Sequence, residues 1–556
     1  MRSNSTIASV FKLAFKSKII LILFLILLSA CNKKERENLE TTIFTKQNYS
    51  DLVLDEAALN SYFKAFPEND SIKKEVYQFY KNREYQFAWF NKKGMTAAVP
   101  IFYSKIQNYS ADFDSKTFVN VQLDSLIALA SADKKPTSVN GNRNKELELL
   151  LTTTFFKYSK EVYGGIDKNP HELEWFIPRK KKNYQALLDS LVVLGKGDSI
   201  AEPVNQYYVR LKEKLREYRK IAKKGDFPIV TTDKKLLSVT ETDSCLRAVK
   251  QHLFLTKDLK ESDTTLLYTA ELEKAVKNFQ HRMGLRESGK LNQQTITELN
   301  KPIDFRIKQI MVNLERLRWV PVQMESEYLL VNIPEFKLHV IENNKPSWTT
   351  NVVVGKNVNR TTIFHGNISR IVLNPYWNVP NSIIMKEIIP HIKRNLNYIQ
   401  NSNMEIVWGN KVVSSSSINW DKYKKGVPFI IRQKPGKNNA LGKMKFLFPN
   451  QYSIYLHDTP SKSLFNESKR AFSHGCIRVE NPKKLLLHFL RKDTAWTTEK
   501  VDEILNSDKE FGIRIKPTVP VYIVYFTSWV DSNGELNFRN DIYNLDHQLE
   551  NEIFGK

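Results

Sequence analysis

Two short segments hold the residues best suited to covalent chemistry. The first, Tyr455-Leu456-His457-Asp458-Thr459-Pro460, reads as a strand that ends on a histidine and enters a turn. The second, Phe472-Ser473-His474-Gly475-Cys476-Ile477-Arg478-Val479, places a cysteine directly after a glycine, which lets the backbone turn sharply. A free thiol has a pKa near ~8.5 and is weakly ionised at neutral pH. An imidazole that takes its proton leaves a strong nucleophile. Cys476 follows His457 by 19 positions, one strand-turn-strand excursion, so a fold can bring the two together. Backbone N–H groups around Gly475 and Cys476 suit the oxyanion of a tetrahedral intermediate. Asn481-Pro482 is a helix start, with Asn at the N-cap and Pro in the first turn. A helix over 483–490 is therefore predicted, with Cys476 in a strand-to-helix passage.

Other chemistries compete for these groups. His457, His474 and Cys476 offer three N/S ligands, the set of a catalytic zinc site with an open position. Against this, His474 and Cys476 flank a single glycine, and no fourth ligand is evident. His365 and His391 show no ligand spacing, and no metal is expected. The chain has three cysteines, Cys31, Cys245 and Cys476, so a structural Cys245–Cys476 bridge is the other alternative.

The elements that must position these residues change character along the chain. From 327 onward, β-branched and apolar residues dominate, and strands are predicted at 328–333, 337–341, 348–354, 369–373, 429–432, 445–448 and 453–456. A late strand at 520–526 is expected to close the sheet. The interval 384–426 breaks this rhythm with helical and polar stretches and reads as a capping insertion. Upstream, 51–232 is mostly helical, with helices predicted over 146–163, 184–194 and 204–221 and a loop at 164–170. Trp89 and Trp175 there read as core. Between these regions, 233–301 is a compact helical unit. Leu272, Ala275, Val276 and Phe279 fall at i, i+3, i+4 and i+7. Gly284 and Gly289 mark turns, and a second helix covers 292–299.

The Ser-His-Gly-Cys box, with a histidine a set stretch before it, resembles the signature of the L,D-transpeptidases, the YkuD-type family. The unit AVKNFQHRMGLRESGKLNQQTITELN resembles the small three-helix peptidoglycan-binding module. Asn374-Pro375-Tyr376-Trp377-Asn378-Val379-Pro380 and Gly436 to Phe446 resemble the large, multi-domain YcbB-like branch. The fold this resemblance implies is multi-domain α+β. It comprises a helical scaffold domain (51–232), a peptidoglycan-binding module (233–301), and a mainly β catalytic domain (302–530) with the inserted cap, followed by a C-terminal tail (531–556).

Carried onto this sequence, the resemblance implies Cys476 as nucleophile and His457 as proton donor and acceptor. The Asp458 backbone carbonyl would orient the imidazole without need of its side chain. His474 and Gly475 would shape the oxyanion and substrate site, with Ser473, Arg478, Trp377 and Gly442 contacting substrate. The implied reaction releases D-alanine from a tetrapeptide stem and forms a 3→3 cross-link, with no cofactor. An L,D-carboxypeptidase or hydrolase on the same stems shares the acyl-enzyme step. A non-catalytic peptidoglycan-binding lipoprotein is the third expectation.

The rest of the chain bears on location. At 556 residues with 41% hydrophobic residues, it is long enough for several cores. The net charge of +24 suits a polyanion: nucleic acid, anionic lipid headgroups, or a wall rich in carboxylates and phosphates. The N-terminus chooses among them. Basic residues precede an apolar run over 19–28, too short to span a bilayer and of the length of a secretory signal core. The run ends Leu28-Ser29-Ala30-Cys31 and is followed by a polar stretch, which resembles the bacterial lipoprotein cleavage box. A signal peptide over 1–30, lipidation of Cys31 and a tether over 31–50 are therefore expected. That places the protein at the periplasmic side of the envelope, membrane-anchored and monomeric, with peptidoglycan stem peptides rather than nucleic acid as partner.

Overall fold

The computed structural model describes residues 50–91, 93–132, 141–179, 182–193 and 201–555. The leader, Cys31 and nearly all of the tether lie outside the described residues. Among those described, no helix is long and apolar enough to cross a membrane.

The chain forms two units. The first takes the described parts of 1–107, 118–158 and 183–201. It is helical, with helices Glu56–Ala65, Lys73–Asn82, Val121–Ala132, Gly141–Tyr158 and Tyr184–Val193. Trp89, Phe102, Phe155 and Phe156 are buried at its centre, as core. One charged side chain lies among them. Glu148 accepts hydrogen bonds from the backbone N–H groups of Ala88 and Trp89 (2.6 and 3.0 Å) and from the Tyr80 hydroxyl (2.9 Å). Burial pushes its carboxyl up to about 7.

The second unit takes 108–117, 159–182 and 202–556. The expected scaffold region is thus divided: its segment 159–182 and the helix Gln206–Ala222 belong with the β domain. The small helical module follows, with helices Leu246–Leu255, Ala270–Arg282 and Gln293–Leu299. Leu272, Ala275, Val276 and Phe279 are all buried, as their spacing requires. Thr269 caps that helix by accepting from the Leu272 N–H. Gln280 explains the pairing of Phe with Gln in the sequence. It is fully buried, accepts from the Gly289 N–H (2.8 Å), and donates to Lys290 O (2.9 Å) and Thr295 Oγ1 (3.0 Å). One amide thereby fixes the turn and the helix after it.

The β domain is built from β1 (Tyr328–Asn332), β2 (Lys337–Glu342), β3 (Lys345–Gly355), β4 (Phe364–Leu373), β5 (Met444–Leu447), β6 (Leu456–His457), β7 (Ala471–Ser473), β8 (Ile477–Val479) and β9 (Phe511–Val524). The strand order is β7-β3-β8-β6-β5-β4-β9-β1-β2, and β2 also pairs with β3, which closes eight of the strands into a ring. The late strand runs over 511–524, longer than the expected 520–526. It joins β4 to β1, so it closes the sheet from within the ring. Leu329, Val331, Leu338, Val340, Ile371, Phe446, Leu456, Ile477, Val521 and Ile523 fill the core.

The insertion begins and ends outside the expected 384–426. Strands Trp377–Asn378, Met404–Trp408, Lys411–Val413 and Ile430–Gln433 form a separate four-stranded sheet. It packs with the helix Ile389–Arg394 around Ile388, Ile392, Ile399, Ile406, Trp420 and Phe429. The cap therefore has a core of its own.

Two regions correct the reading from sequence. A helix over Ile303–Arg318 precedes the strands. Residues 531–555 are not an appended tail. Leu536–Phe538 pairs with Ser528–Val530, and the helix Leu545–Phe554 packs on Ile303–Arg318. Asp546 there receives Arg316 (2.5 Å) and the Thr527 hydroxyl (2.6 Å).

Candidate active site

Strand register decides what shares a face with the cysteine. β6 and β8 are parallel, with Leu456 opposite Ile477 and His457 opposite Arg478. Side chains alternate along a strand. Leu456 and Ile477 therefore point into the core, and Tyr455, His457, Cys476 and Arg478 share the other face. β5 adds to it, because Lys445 stands opposite His457 while Met444 and Phe446 are buried. Cys476 immediately precedes β8, so the ladder's parity puts it on the same side of the sheet as His457.

Cys476 is not in a strand-to-helix passage, as the sequence suggested. It lies in the turn between β7 and β8, and the helix Pro482–Leu490 begins only after β8. Asn481 precedes that helix without capping it; its amide donates to Thr350 Oγ1 (3.1 Å).

The turn is held from several sides. Gly475 adopts φ +115°, a conformation that L side chains rarely adopt. Its N–H donates to Ser473 Oγ (3.1 Å), and that hydroxyl donates to Cys476 O (2.5 Å). Ser473 is only 2% exposed. Its hydroxyl is spent inside the turn, so the expected substrate contact is corrected to a structural one. His474 points outward to the cap, with Nε2 3.0 Å from Glu387 Oε1. His457, His474 and Cys476 do not form a ligand cluster. Among the described residues the one group with ligand spacing is Glu327, Glu342 and His488. Arg491 Nη2 already lies 2.7 Å from both of its carboxylates. Cys245 and Cys476 are both free, so the alternative bridge is absent.

His457 is buried, and its Nδ1 lies 2.5 Å from the Asp458 carbonyl oxygen. A carbonyl only accepts, so Nδ1 carries the proton and Nε2 is left as the acceptor. The Asp458 side chain also has work to do. Oδ2 accepts from the Lys443 N–H (2.8 Å), and Oδ1 receives Lys462 Nζ (2.7 Å). Gly442, at φ +61°, lies against this carboxylate, and a Cβ there would sit 2.3 Å from Oδ2. Gly442 thus leaves the space that the Asp458 carboxylate needs.

Sequence reasoning missed two residues of this face. Tyr455 lies close enough to the Cys476 thiol that each acts on the other's ionisation, and the Trp377 side chain acts on Tyr455. Its ring stands 5.6 Å from the His457 ring, edge to face. Lys445 Nζ lies 4.0 Å from the Tyr455 ring centroid. The signal was parity: Tyr455 is two residues before His457, and Lys445 alternates with two buried apolar residues.

Electrostatics set the resting state. Cys476 is half-buried. Protein around its sulfur pushes the thiol up, opposed by hydrogen bonds with Tyr455 and by the charges of Lys445 and Arg478. Burial, with Arg478 and Lys445 adding to it, pushes His457 down to about 3. The Asp458 and Leu441 carbonyls act in the opposite direction. Both groups are therefore neutral at rest. Burial also lowers Arg478, whose Nε is buried without a hydrogen-bond partner.

Residues 326–501 match the L,D-transpeptidase catalytic domain, YkuD. This chain carries an L,D-transpeptidase catalytic domain. Residues 74–215 match the scaffold domain, and 251–299 the "Putative peptidoglycan binding domain". A Haemophilus influenzae protein (strain ATCC 51907 / DSM 11121 / KW20 / Rd) named "Putative L,D-transpeptidase" is 36% identical over 244 residues, 44% of this chain and 49% of that one. The chain thus spans about half the length of that relative. Solved L,D-transpeptidases are more distant. The Stackebrandtia nassauensis structure is 14% identical, with 52% of this chain and 97% of that chain covered and a TM-score of 0.22. For the Mycobacterium smegmatis structure the figures are 10%, 36%, 58% and 0.19. The transpeptidase domain as matched holds Cys476, His457 and the whole cap, whereas the strand at 511–524 lies beyond it.

Proposed function

We propose that the protein is an L,D-transpeptidase that forms 3→3 cross-links in peptidoglycan through a Cys476 acyl-enzyme. The observation that carries this is the shared face. Cys476, at the end of the turn that leads into β8, falls by strand parity on the same side of the sheet as His457 on β6, whose ring proton Asp458 fixes on Nδ1. In the proposed reaction, Nε2 of His457 takes the thiol proton as sulfur adds to the amide carbonyl of the third stem residue. The C–N bond to D-alanine then breaks, and His457 returns the proton to the departing amine. The side-chain amine of a second stem attacks the thioester, giving the new amide and restoring the thiol. The N–H groups at the Gly475–Cys476 turn would receive the oxyanion, and Tyr455 would act beside the sulfur. Arg478 and Lys445 supply positive charge next to an incoming stem carboxylate.

The small module at 251–299 supports peptidoglycan as the partner. Action at the periplasmic side of the envelope, anchored through lipidated Cys31, follows from this reading together with the leader. The test is incubation of the mature protein with disaccharide-tetrapeptides. D-alanine and a cross-linked dimer are expected, and Cys476→Ala should give neither. Tripeptide without dimer would contradict transfer and establish hydrolysis.

A further inference from the structure

The segment 159–182 comes from the helical part of the sequence yet belongs to the unit that holds the transpeptidase domain. Its residues 170–176 run beside the supports of the nucleophile turn. Trp175, 1% exposed, bridges Ile363 in parallel, and the Phe176 N–H donates to Ile363 O (2.9 Å). From this isolated bridge the segment reaches both sides of Cys476.

On one side Glu174 Oε1 accepts from Arg360 Nη1 at 2.7 Å. Glu174 itself stands in the left-handed region, at φ +57°. Arg360 and Asn359 lie under the turn: a Cβ at Gly475 would sit 3.5 Å from Arg360 O and 3.9 Å from Asn359 O. The neighbouring Thr361 hydroxyl donates to Gly475 O (2.8 Å) and accepts from the Gly355 N–H (2.9 Å). Tyr543 completes the support. Its hydroxyl donates to Gly355 O (2.5 Å) and accepts from the Thr361 N–H (3.2 Å). On the other side the Phe176 ring stands 5.4 Å from the Tyr452 ring. The next residue, Ser453, held at φ +56°, offers the carbonyl to which the Cys476 thiol donates, at 3.6 Å.

We infer that Glu174 and Phe176 are positioning residues for the nucleophile: the 170–176 segment fixes the Gly475 turn through Arg360 and the thiol's resting acceptor through Tyr452. Neither residue touches the sulfur. They act through Arg360–Thr361 and Tyr452–Ser453, two loops with little regular structure of their own. Displacement of a reacting atom by a fraction of its bond length already slows a positioned reaction. The energetic lever is modest, because Glu174 and Arg360 are partly solvated and such pairs are weak. The consequence is a tuned rate rather than an on–off switch. The kinetic arm of the test rests on the transpeptidase reading; the alkylation arm does not.

The test uses the full mature chain with Glu174→Gln, Arg360→Met, their double variant, and Phe176→Leu. Three quantities are read: the pH profile of Cys476 alkylation by iodoacetamide, kcat and KM on disaccharide-tetrapeptide, and the melting temperature. Glu174→Gln is expected to lower kcat about fivefold with KM unchanged. It should also move the alkylation midpoint upward, as the turn drifts from Lys445 and Arg478. Arg360→Met should do the same, and the double variant no more than either alone. Phe176→Leu should shift the alkylation profile at a similar melting temperature. Wild-type kcat and alkylation in Glu174→Gln and Phe176→Leu would overturn the inference, as would losses that multiply in the double variant. Shifted alkylation in the variants, with a wild type that forms no cross-links, would sustain the positioning role and sink the transpeptidase reading instead.

Discussion

His457 stands opposite Arg478 in the parallel ladder between β6 and β8, so the imidazole shares its face of the barrel with a guanidinium, and Cys476 enters β8 on that same side. The same two cations, Arg478 and Lys445, press on both groups. They favour the thiolate and disfavour the imidazolium. The outcome is a neutral thiol beside a neutral base.

The first expectation concerns pH. With the thiol raised and His457 lowered to about 3, no thiolate–imidazolium pair exists near neutrality. Alkylation of Cys476 by iodoacetamide should keep accelerating through pH 9, without a plateau at lower pH. An inflection near pH 6 followed by a plateau would show a preformed ion pair and contradict the neutral resting state.

Lys445→Met removes a charge that holds the thiol down. The alkylation midpoint should rise, and the rate at pH 8 should fall several-fold, about tenfold for each unit of pKa below the midpoint. An unchanged rate would mean that the ammonium over the Tyr455 ring does not act on the sulfur.

Gly442→Ala places a methyl group 2.3 Å from Asp458 Oδ2 and demands φ +61° of an alanine. The left-handed conformation alone costs about 1–2 kcal/mol. Asp458 must also shift, carrying the carbonyl that holds His457 Nδ1. Loss of both stability and cross-linking is expected, read by denaturant melts and muropeptide assay. Gly534→Ala, at φ +80° but with open space around it, should cost the backbone strain and leave activity intact.

Acid stability offers a fourth measurement. Burial lowers His252 to about 3, with Arg306 and Arg282 adding to the shift. Its folded pKa lies below the unfolded value near 6.5, so the unfolded chain binds the extra proton between these limits. Stability should therefore fall as pH drops from about 6.5 toward 3, by up to about 1.4 kcal/mol per pH unit for this group. His252→Leu should flatten that slope in denaturant melts at pH 4 to 6. An unaltered slope would show that His252 is not held neutral.

Much of this architecture was legible because period-2 and period-3.6 patterns report burial directly. The strands at 328–332 and 337–342 and the helix at 270–282 follow that rule. The helix Ile303–Arg318 hid because its buried face carries Arg306, Gln309, Asn313, Glu315 and Arg316. Gln309, Asn313 and Arg316 find partners in Arg539 O, Thr527 and Asp546, more than 200 positions away, and no local pattern shows that they are paired. The strand expected at 453–456 shrank to Leu456–His457, because Ser453 turns left-handed and Asn450 ties down the Tyr452 and Ile454 N–H groups. In the site, Cys476 and His457 stood out by residue type. Lys445 and Tyr455 did not, since only cross-strand register puts them beside the sulfur. Ser473 belongs to the frame of the turn, which proximity in sequence to a nucleophile does not distinguish from a wall of the pocket.

The central claim is that Cys476 becomes acylated by a stem peptide. Protein mixed with disaccharide-tetrapeptide, acid-quenched within a turnover and digested, should yield the peptide containing Cys476 with the added mass of the donor less D-alanine. His457→Gln should yield none. D-alanine release with Cys476 unmodified, or an adduct on another residue, would contradict the account.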